Sequence, residues 1–376
     1  MEKFMENKLE IMTYKSGKFV FSADYDRLVI DPLVAEVRTL ADFMMDLRVF
    51  PVSYRLDEEL IIRSIMSTAA IEGNPLTEEE VGEVLNGGEI TNIYQREIFN
   101  LKSCYEFLVN WENKDFLITE DLCKLFHQYI TKDIPHEYNL PGYYRKEKVK
   151  VGDKSHGGIY VPPRCFDDIK MLMSAFIEWF QKLPSDIHVF VKAFLLHYYF
   201  AKIHPFSDGN GRTARILEGF YLANNGYGFF LKELSNYYYR QVDEYYAAFS
   251  NSHKADDASQ FILFCLNIMK TALYERKEQA IEFAKRFAMR DFLDFAYKKK
   301  MLKERQFNLL NVLLDIERES EFSKEQLFVT SYFKVIYGKL SDRTVANDLN
   351  YLVSQNLLIK DGDKYRINLN YLKPAI

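Results

Sequence analysis

The sequence predicts a mainly α fold, a helical bundle with very little sheet, followed by a small winged-helix C-terminal domain. Three observations predict it. Strand-like runs are few, confined to residues 18–21, 158–161, 357–359 and 365–367, while nearly every other stretch carries the helical period. Between Val189 and Phe200 apolar residues fall on every side of the helix, the pattern of one buried all round at the centre of a bundle. At the end of the chain an amphipathic helix leads into two short strand-like runs around a turn at 360–364, which is the order of a winged helix.

A length of 376 residues exceeds what one hydrophobic core usually serves, so several domains are expected. They are an N-terminal helical region over 1–110, a helical core over 111–295, and the winged-helix-like domain over 300–376. In the core, the central helix must stop near His204, because Pro205 restricts the residue before it and Gly209 and Gly211 follow. Residues 204–210 are therefore a loop. A second helix begins at about Gly211, marked by the stripe Ile216, Leu217, Phe220 and Tyr221. The charged run at 298–305 closes the core as a helix end or solvated linker. In the tail, Ser341 is placed to cap the helix that follows it.

Composition excludes several classes. The chain is 48% hydrophobic with 30 Phe and 26 Tyr, which argues against extended disorder. A net charge of −5, with both signs mixed along the chain, leaves no footprint for nucleic acid or an anionic membrane over the whole molecule. Cys104, Cys123, Cys165 and Cys265 show no CxxC spacing and read as small buried hydrophobes. The first eleven residues lack the apolar stretch of a signal peptide, and no run approaches a membrane span, so the expectation is a cytoplasmic protein with no membrane partner.

The chemistry gathers in His204-Pro205-Phe206-Ser207-Asp208-Gly209-Asn210-Gly211-Arg212-Thr213-Ala214-Arg215. Free N–H groups where a loop enters a helix make an anion site, and Gly209 and Gly211 let the backbone approach a phosphate. Arg212 and Arg215, three apart, suit a polyphosphate. Asp208 offers an oxygen to a magnesium ion, Asn210 a neutral amide, and His204 an imidazole that can take a proton near pH 7. No GxxxxGK[ST], no GxGxxG after a strand and no HExxH is present.

This segment resembles the signature of the Fic family, HPFx[DE]GNGRxxR, and matches it at every fixed position. The resemblance implies a Fic-type helical bundle with a small β-hairpin flap, and an adenylyltransferase moving AMP from ATP to a Ser, Thr or Tyr hydroxyl of a target protein. It implies that His204 is the general base, that Asp208 holds Mg2+, that Asn210 contacts the α-phosphate, that Gly209 and Gly211 lend N–H groups, and that Arg212 and Arg215 grip the β- and γ-phosphates. Upstream, Thr68, Glu72 and Gly73 resemble the family's inhibitory motif [ST]xxxE[GN], on a helix at about 60–73. Thr68 and Glu72 share a helix face, so Glu72 at the helix tip is expected to pair with Arg215 and hold the enzyme quiet. Ile159, Tyr160, Val161 and Pro162 look like the flap on which a target segment docks by strand addition. Leu140-Pro141-Gly142-Tyr143-Tyr144-Arg145 resembles the G-x-[FY]-R element before it. Tyr238 and Tyr246 are the candidates for the adenine.

Partners expected are ATP and a protein hydroxyl, with self-modification and a homodimer left open. In the tail, six Lys or Arg against four Asp from 339 to 373 give nucleic acid only weak support. Two alternatives stay open: removal of AMP from a modified target, with Glu72 positioning water, and a nucleotide-sensing transcriptional regulator acting through the C-terminal domain.

Overall fold

The chain begins as an antiparallel meander of β1 (Lys3–Met5), β2 (Lys8–Met12) and β3 (Lys18–Ser22). Only the third of these is legible in the sequence. In β2, Leu9 and Ile11 turn inward and alternate with the less buried Lys8 and Glu10 and the exposed Met12, an alternation too short to stand out. Phe21 of β3 is fully buried and packs on Phe176, Trp179 and Tyr199 at ring separations of 5.6, 5.5 and 5.3 Å. Buried Asp168 accepts from the Tyr14 N–H at 2.7 Å and the Ser16 hydroxyl at 2.6 Å, which satisfies the hairpin turn.

The computed structural model describes residues 3–5, 7–46, 53–110, 116–135, 140–155, 157–316 and 321–371. It divides into two compact units, Met1–Tyr274 and Glu275–Ile376. After the meander come α1 (Arg27–Asp46), α2 (Ser53–Ile71), α3 (Glu78–Leu85), α4 (Ile93–Val109), α5 (Glu120–Thr131), α6 (Phe166–Gln181), α7 (Val189–Ile203), α8 (Asn210–Leu222), α9 (Leu234–Arg240), α10 (Val242–Ala255) and α11 (Ser259–Lys298). Caps fix several starts: Thr77 and Glu80 form a capping box at α3, Asn92 caps α4 and Thr119 caps α5. Helix α7 is buried almost all round.

Where the sequence separates 1–110 from 111–295, one hydrophobic core runs through both: Ile65, Ile98 and Leu101 share a cluster with Phe126, Phe194 and Phe220. The chain passes from the first unit to the second within α11, earlier than the charged run at 298–305. Residues 158–161 also depart from expectation. They form no strand, only an isolated antiparallel bridge between Val151 and Tyr160. Gly157 and Gly158 at φ +96° and +110°, with Pro162 and Pro163 behind, leave too few extended N–H groups for a ladder.

The second unit has its own core, including Leu309, Leu313, Val345, Leu349 and Leu352. Its order is α12 (Glu304–Asp315), β4 (Phe322–Ser323), α13 (Gln326–Val329), α14 (Ser331–Tyr337), α15 (Asp342–Ser354), β5 (Leu358–Asp361) and β6 (Lys364–Ile367), with β6 central in the sheet. Ser341 caps α15 by accepting from Thr344 N. No helix among the described residues is long and apolar enough to cross a membrane.

Candidate active site

The turn from α7 to α8 builds the site. His204 ends α7 in the left-handed region at φ 52°, ψ 61°, and Gly209, at φ +76°, caps α8. A Cβ at 209 would lie 2.9 Å from the Thr131 methyl, so glycine is required by both conformation and space. Asn210 is buried, and both groups of its amide bind the backbone of Phe206: Oδ1 accepts from its N–H at 2.9 Å and Nδ2 donates to its C=O at 2.8 Å. In this arrangement the amide expected to meet a phosphate clamps the loop.

Two residues outside the motif hold the turn. The His127 ring stacks on Phe206 at 3.6 Å. Its Nδ1 accepts from the Gly142 N–H at 2.9 Å, which places the proton on Nε2, donated to the Asp208 carbonyl at 3.0 Å. Buried Arg145 donates to three carbonyls, of His204 at 2.7 Å, Glu147 at 2.7 Å and Pro163 at 2.8 Å. It thereby ties the α7–α8 turn to both feet of the flap. Burial lowers the Arg145 pKa to about 10, which leaves it charged at neutral pH. Burial and this positive neighbour together push the His204 imidazole down to about 4, so it is neutral at pH 7.

A cavity of about 530 Å³ opens beside His204, lined by Glu72, Gly211, Arg215, Tyr245 and Tyr246 among others and, from the flap, by residues 151–153 and 157–160. Glu72 follows the end of α2, where Gly73 takes φ +90°. Its carboxylate accepts from Arg215 Nη2 at 2.7 Å. Three further Arg215 donors are engaged: Nε to Thr68 Oγ1 at 2.8 Å, Nη2 to the Thr68 carbonyl at 3.0 Å, and Nη1 to the Tyr245 hydroxyl at 3.4 Å. Burial opposes its charge, but Tyr245 and Glu72 outweigh that and hold its pKa above the ordinary arginine value. A Cβ at Gly211 would sit 2.2 Å from Glu72 Oε1, so the carboxylate lies against the first turn of α8, where an anion is favoured.

Arg212 and Arg215 do not share a partner set. Arg212, 2% exposed, donates to Glu97 Oε1 on α4 and to Asp208 Oδ2, both at 2.9 Å. Glu97 was not legible as a site residue, since a lone Glu in an amphipathic helix carries no motif. Its other oxygen accepts from Asn74 Nδ2 at 2.8 Å, directly after Gly73. Among the described residues no three or more His, Cys, Asp or Glu side chains gather into a metal cluster. Asp208, about one-third exposed at the loop, suits a magnesium ion whose other ligands are phosphate and water.

The aromatic candidates divide. Tyr246 lines the cavity and donates to the Ile71 carbonyl at 3.0 Å. Tyr238 does not line it: fully buried, it stacks on Tyr245 and donates to Glu218, because its helix face turns to the bundle core. Tyr245, its neighbour in space, faces the cavity instead. In the flap, Ile159 and Val161 are 55% and 45% exposed, available to an incoming segment, while Pro162 is buried. Tyr160 turns inward, stacks on His253 at 4.1 Å and donates to the Lys202 carbonyl at 2.9 Å.

Comparison with known proteins agrees with the motif. Residues 117–222 match the Fic/DOC family model. Proteins named protein adenylyltransferase Fic are similar over part of their length: that of Culex quinquefasciatus is 31% identical over 184 residues, 46% of this chain and 34% of the relative, and that of Nematostella vectensis is 29% identical over 182 residues. The chain thus spans about a third of the length of the first of these curated relatives. A Fic family protein from Desulfovibrio desulfuricans shares the fold at a TM-score of 0.56 and 21% identity, over 90% of this chain and 96% of that one. Fic-1 of C. elegans (residues 134–508) aligns at a TM-score of 0.54 and 20% identity, over 66% and 71%.

Proposed function

We propose that this chain, which carries a Fic/DOC domain over residues 117–222, is a protein adenylyltransferase that its own Glu72 keeps quiet. The observation that carries the reading is the Glu72–Arg215 pair at 2.7 Å on the wall of the cavity that also contains His204. In the reaction, neutral His204 takes the proton from a Ser, Thr or Tyr hydroxyl of the target. The freed oxygen bonds to the α-phosphorus of ATP as the bond to the β-phosphate bridging oxygen breaks, and pyrophosphate leaves. Gly209 and Gly211 lend the N–H groups of the α8 start, and Arg215 is the partner of the γ-phosphate. Asp208 would hold Mg2+, which supplies charge neutralisation to the phosphate oxygens when bound. While Glu72 engages Arg215, the γ-phosphate loses its partner and meets a negative charge instead.

The test is transfer from labelled ATP. Glu72→Gly should raise self-labelling, or labelling of a lysate, well above the parent chain. Adding His204→Ala should reduce it by about 100-fold or more, the usual worth of a general base. Labelling that survives the loss of His204 overturns the mechanism. Glu72 and His204 line the same cavity, which also supports the reverse reading, with Glu72 positioning water for AMP removal. Release of AMP from a modified target by the parent chain, but not by Glu72→Gly, would favour it.

For the second unit we propose a winged-helix-like module with α15 and the β5–β6 hairpin as its contact surface, on the strength of the element order. Protein contact, including a second copy of this chain, suits its mixed charge better than nucleic acid. A sequence-specific gel shift by the full chain at physiological salt would reverse that preference.

A further inference from the structure

Behind Arg215 lies a set of polar side chains that AMP transfer does not itself call for. Glu218 of α8 and His197 of α7 are 1% and 0% exposed, and His197 Nδ1 makes a short contact with Glu218 Oε2. His197 Nε2 lies 3.0 Å from the Tyr245 hydroxyl, which in turn lies 3.4 Å from Arg215 Nη1. Tyr238 donates to the other Glu218 oxygen at 2.8 Å. Desolvating these groups in a bundle core is costly, and an apolar set of the same volume would pack there without that cost.

Donor and acceptor counting gives the chain a direction. Arginine has donors only, so the Tyr245 oxygen must accept from Nη1. The single Tyr245 proton then goes to His197 Nε2, which must be an acceptor. The ring proton therefore sits on Nδ1 and is donated to Glu218. A doubly protonated ring would leave the Tyr245 hydrogen without an acceptor. Every hydrogen bond from the guanidinium to the carboxylate points the same way, and such chains polarise one another.

We infer that Glu218, His197 and Tyr245 form a positioning relay that keeps Arg215 aimed at the cavity independently of the inhibitory helix. Of the other Arg215 partners, Thr68 and Glu72 both belong to the end of α2, so any movement that withdraws Glu72 disturbs them together. Tyr245 stands on α10, and the hydrogen bonds of its hydroxyl run to His197 and Arg215, none of them to α2. The guanidinium thus retains one fixed contact when the inhibitor leaves. This inference rests on the reading of Arg215 as the γ-phosphate partner.

The test is nucleotide binding by calorimetry in a Glu72→Gly, His204→Ala background, where turnover does not interfere. Adding Tyr245→Phe removes one hydroxyl and should weaken ATP about tenfold, the size of one hydrogen bond to a charged group, while AMP changes by less than about twofold. Glu218→Gln should act in the same direction and less strongly. Thermal melts of both variants should fall by a few degrees, since a buried partner is left unpaired, with both chains still folded at the temperature of the calorimetry. An equal loss for ATP and AMP, or no loss for either, overturns the relay, since a purely structural role would not distinguish the two nucleotides. Failure of the underlying reading shows separately, as a parent that binds ATP no more tightly than AMP, and the relay then falls with it.

Discussion

At Arg212 two carboxylates, Glu97 and Asp208, meet one guanidinium that is 2% exposed. Removing one partner of a buried charge is expensive because the other is left in low dielectric. Glu97→Gln, which keeps a hydrogen bond and loses the charge, should lower unfolding stability by about 1–3 kcal/mol, read from the denaturant midpoint. Gly209→Ala should cost a similar amount, about 1–3 kcal/mol, because alanine is strained at φ +76° and its methyl meets Thr131. Motif residues such as His204, Asp208 and Arg215 were legible because their types recur at fixed spacing in one segment. Glu97, His127 and Tyr245 were not, since each comes from a distant helix and has no local pattern.

Elements position these residues through their ends. Helix α7 stops with His204 in the left-handed region, and Arg145 holds that carbonyl together with those of Glu147 and Pro163. Arg145→Lys retains charge and loses the fork that reaches three carbonyls. In a Glu72→Gly background it should lower kcat for AMP transfer more than it raises KM for ATP, as the base is displaced while the phosphate site remains. The end of α2 is tied to α4 by Asn74, which donates to Glu97 and to the Tyr94 carbonyl. Asn74→Ala should loosen that end and raise basal self-labelling about fivefold, the worth of one hydrogen bond, and less than Glu72→Gly does. Both helix ends were readable, from Pro205 and from Gly73, because breakers act locally. Of the small opening sheet only β3 was, because β1 and β2, of three and five residues, carry little periodicity.

At the scale of the whole molecule two buried imidazoles predict acid sensitivity. Burial lowers His204 to about 4 and His253 to about 3 from an ordinary 6.5, with nearby Arg145 and Lys202 adding to the shifts. Above pH 6.5 both rings are neutral folded or unfolded and contribute nothing. Below it the unfolded chain binds protons that the folded chain refuses, so stability falls as pH drops from 6.5 toward 4. Urea midpoints at pH 7 and pH 5 should show this loss, and His253→Gln should reduce it. The rate of AMP transfer by Glu72→Gly should, for the same reason, lack an inflection at 6.5 attributable to His204.

The sequence by itself determined the helical class, the buried α7, the turn at 204–210, the α8 start and the Thr68–Glu72 helix face. All of these depend on neighbours within a few positions, which local sterics and periodicity decide. Only the tertiary structure decided that Ile65, Ile98 and Leu101 share a core with α5, α7 and α8, that Asn210 clamps Phe206, that Tyr245 replaces Tyr238 at the cavity, and that Glu97 and Glu218 stand behind the two arginines. Each of these is a choice among faces of packed helices. A side chain's face is fixed by the elements that cover it, and no spacing along one chain segment carries that information.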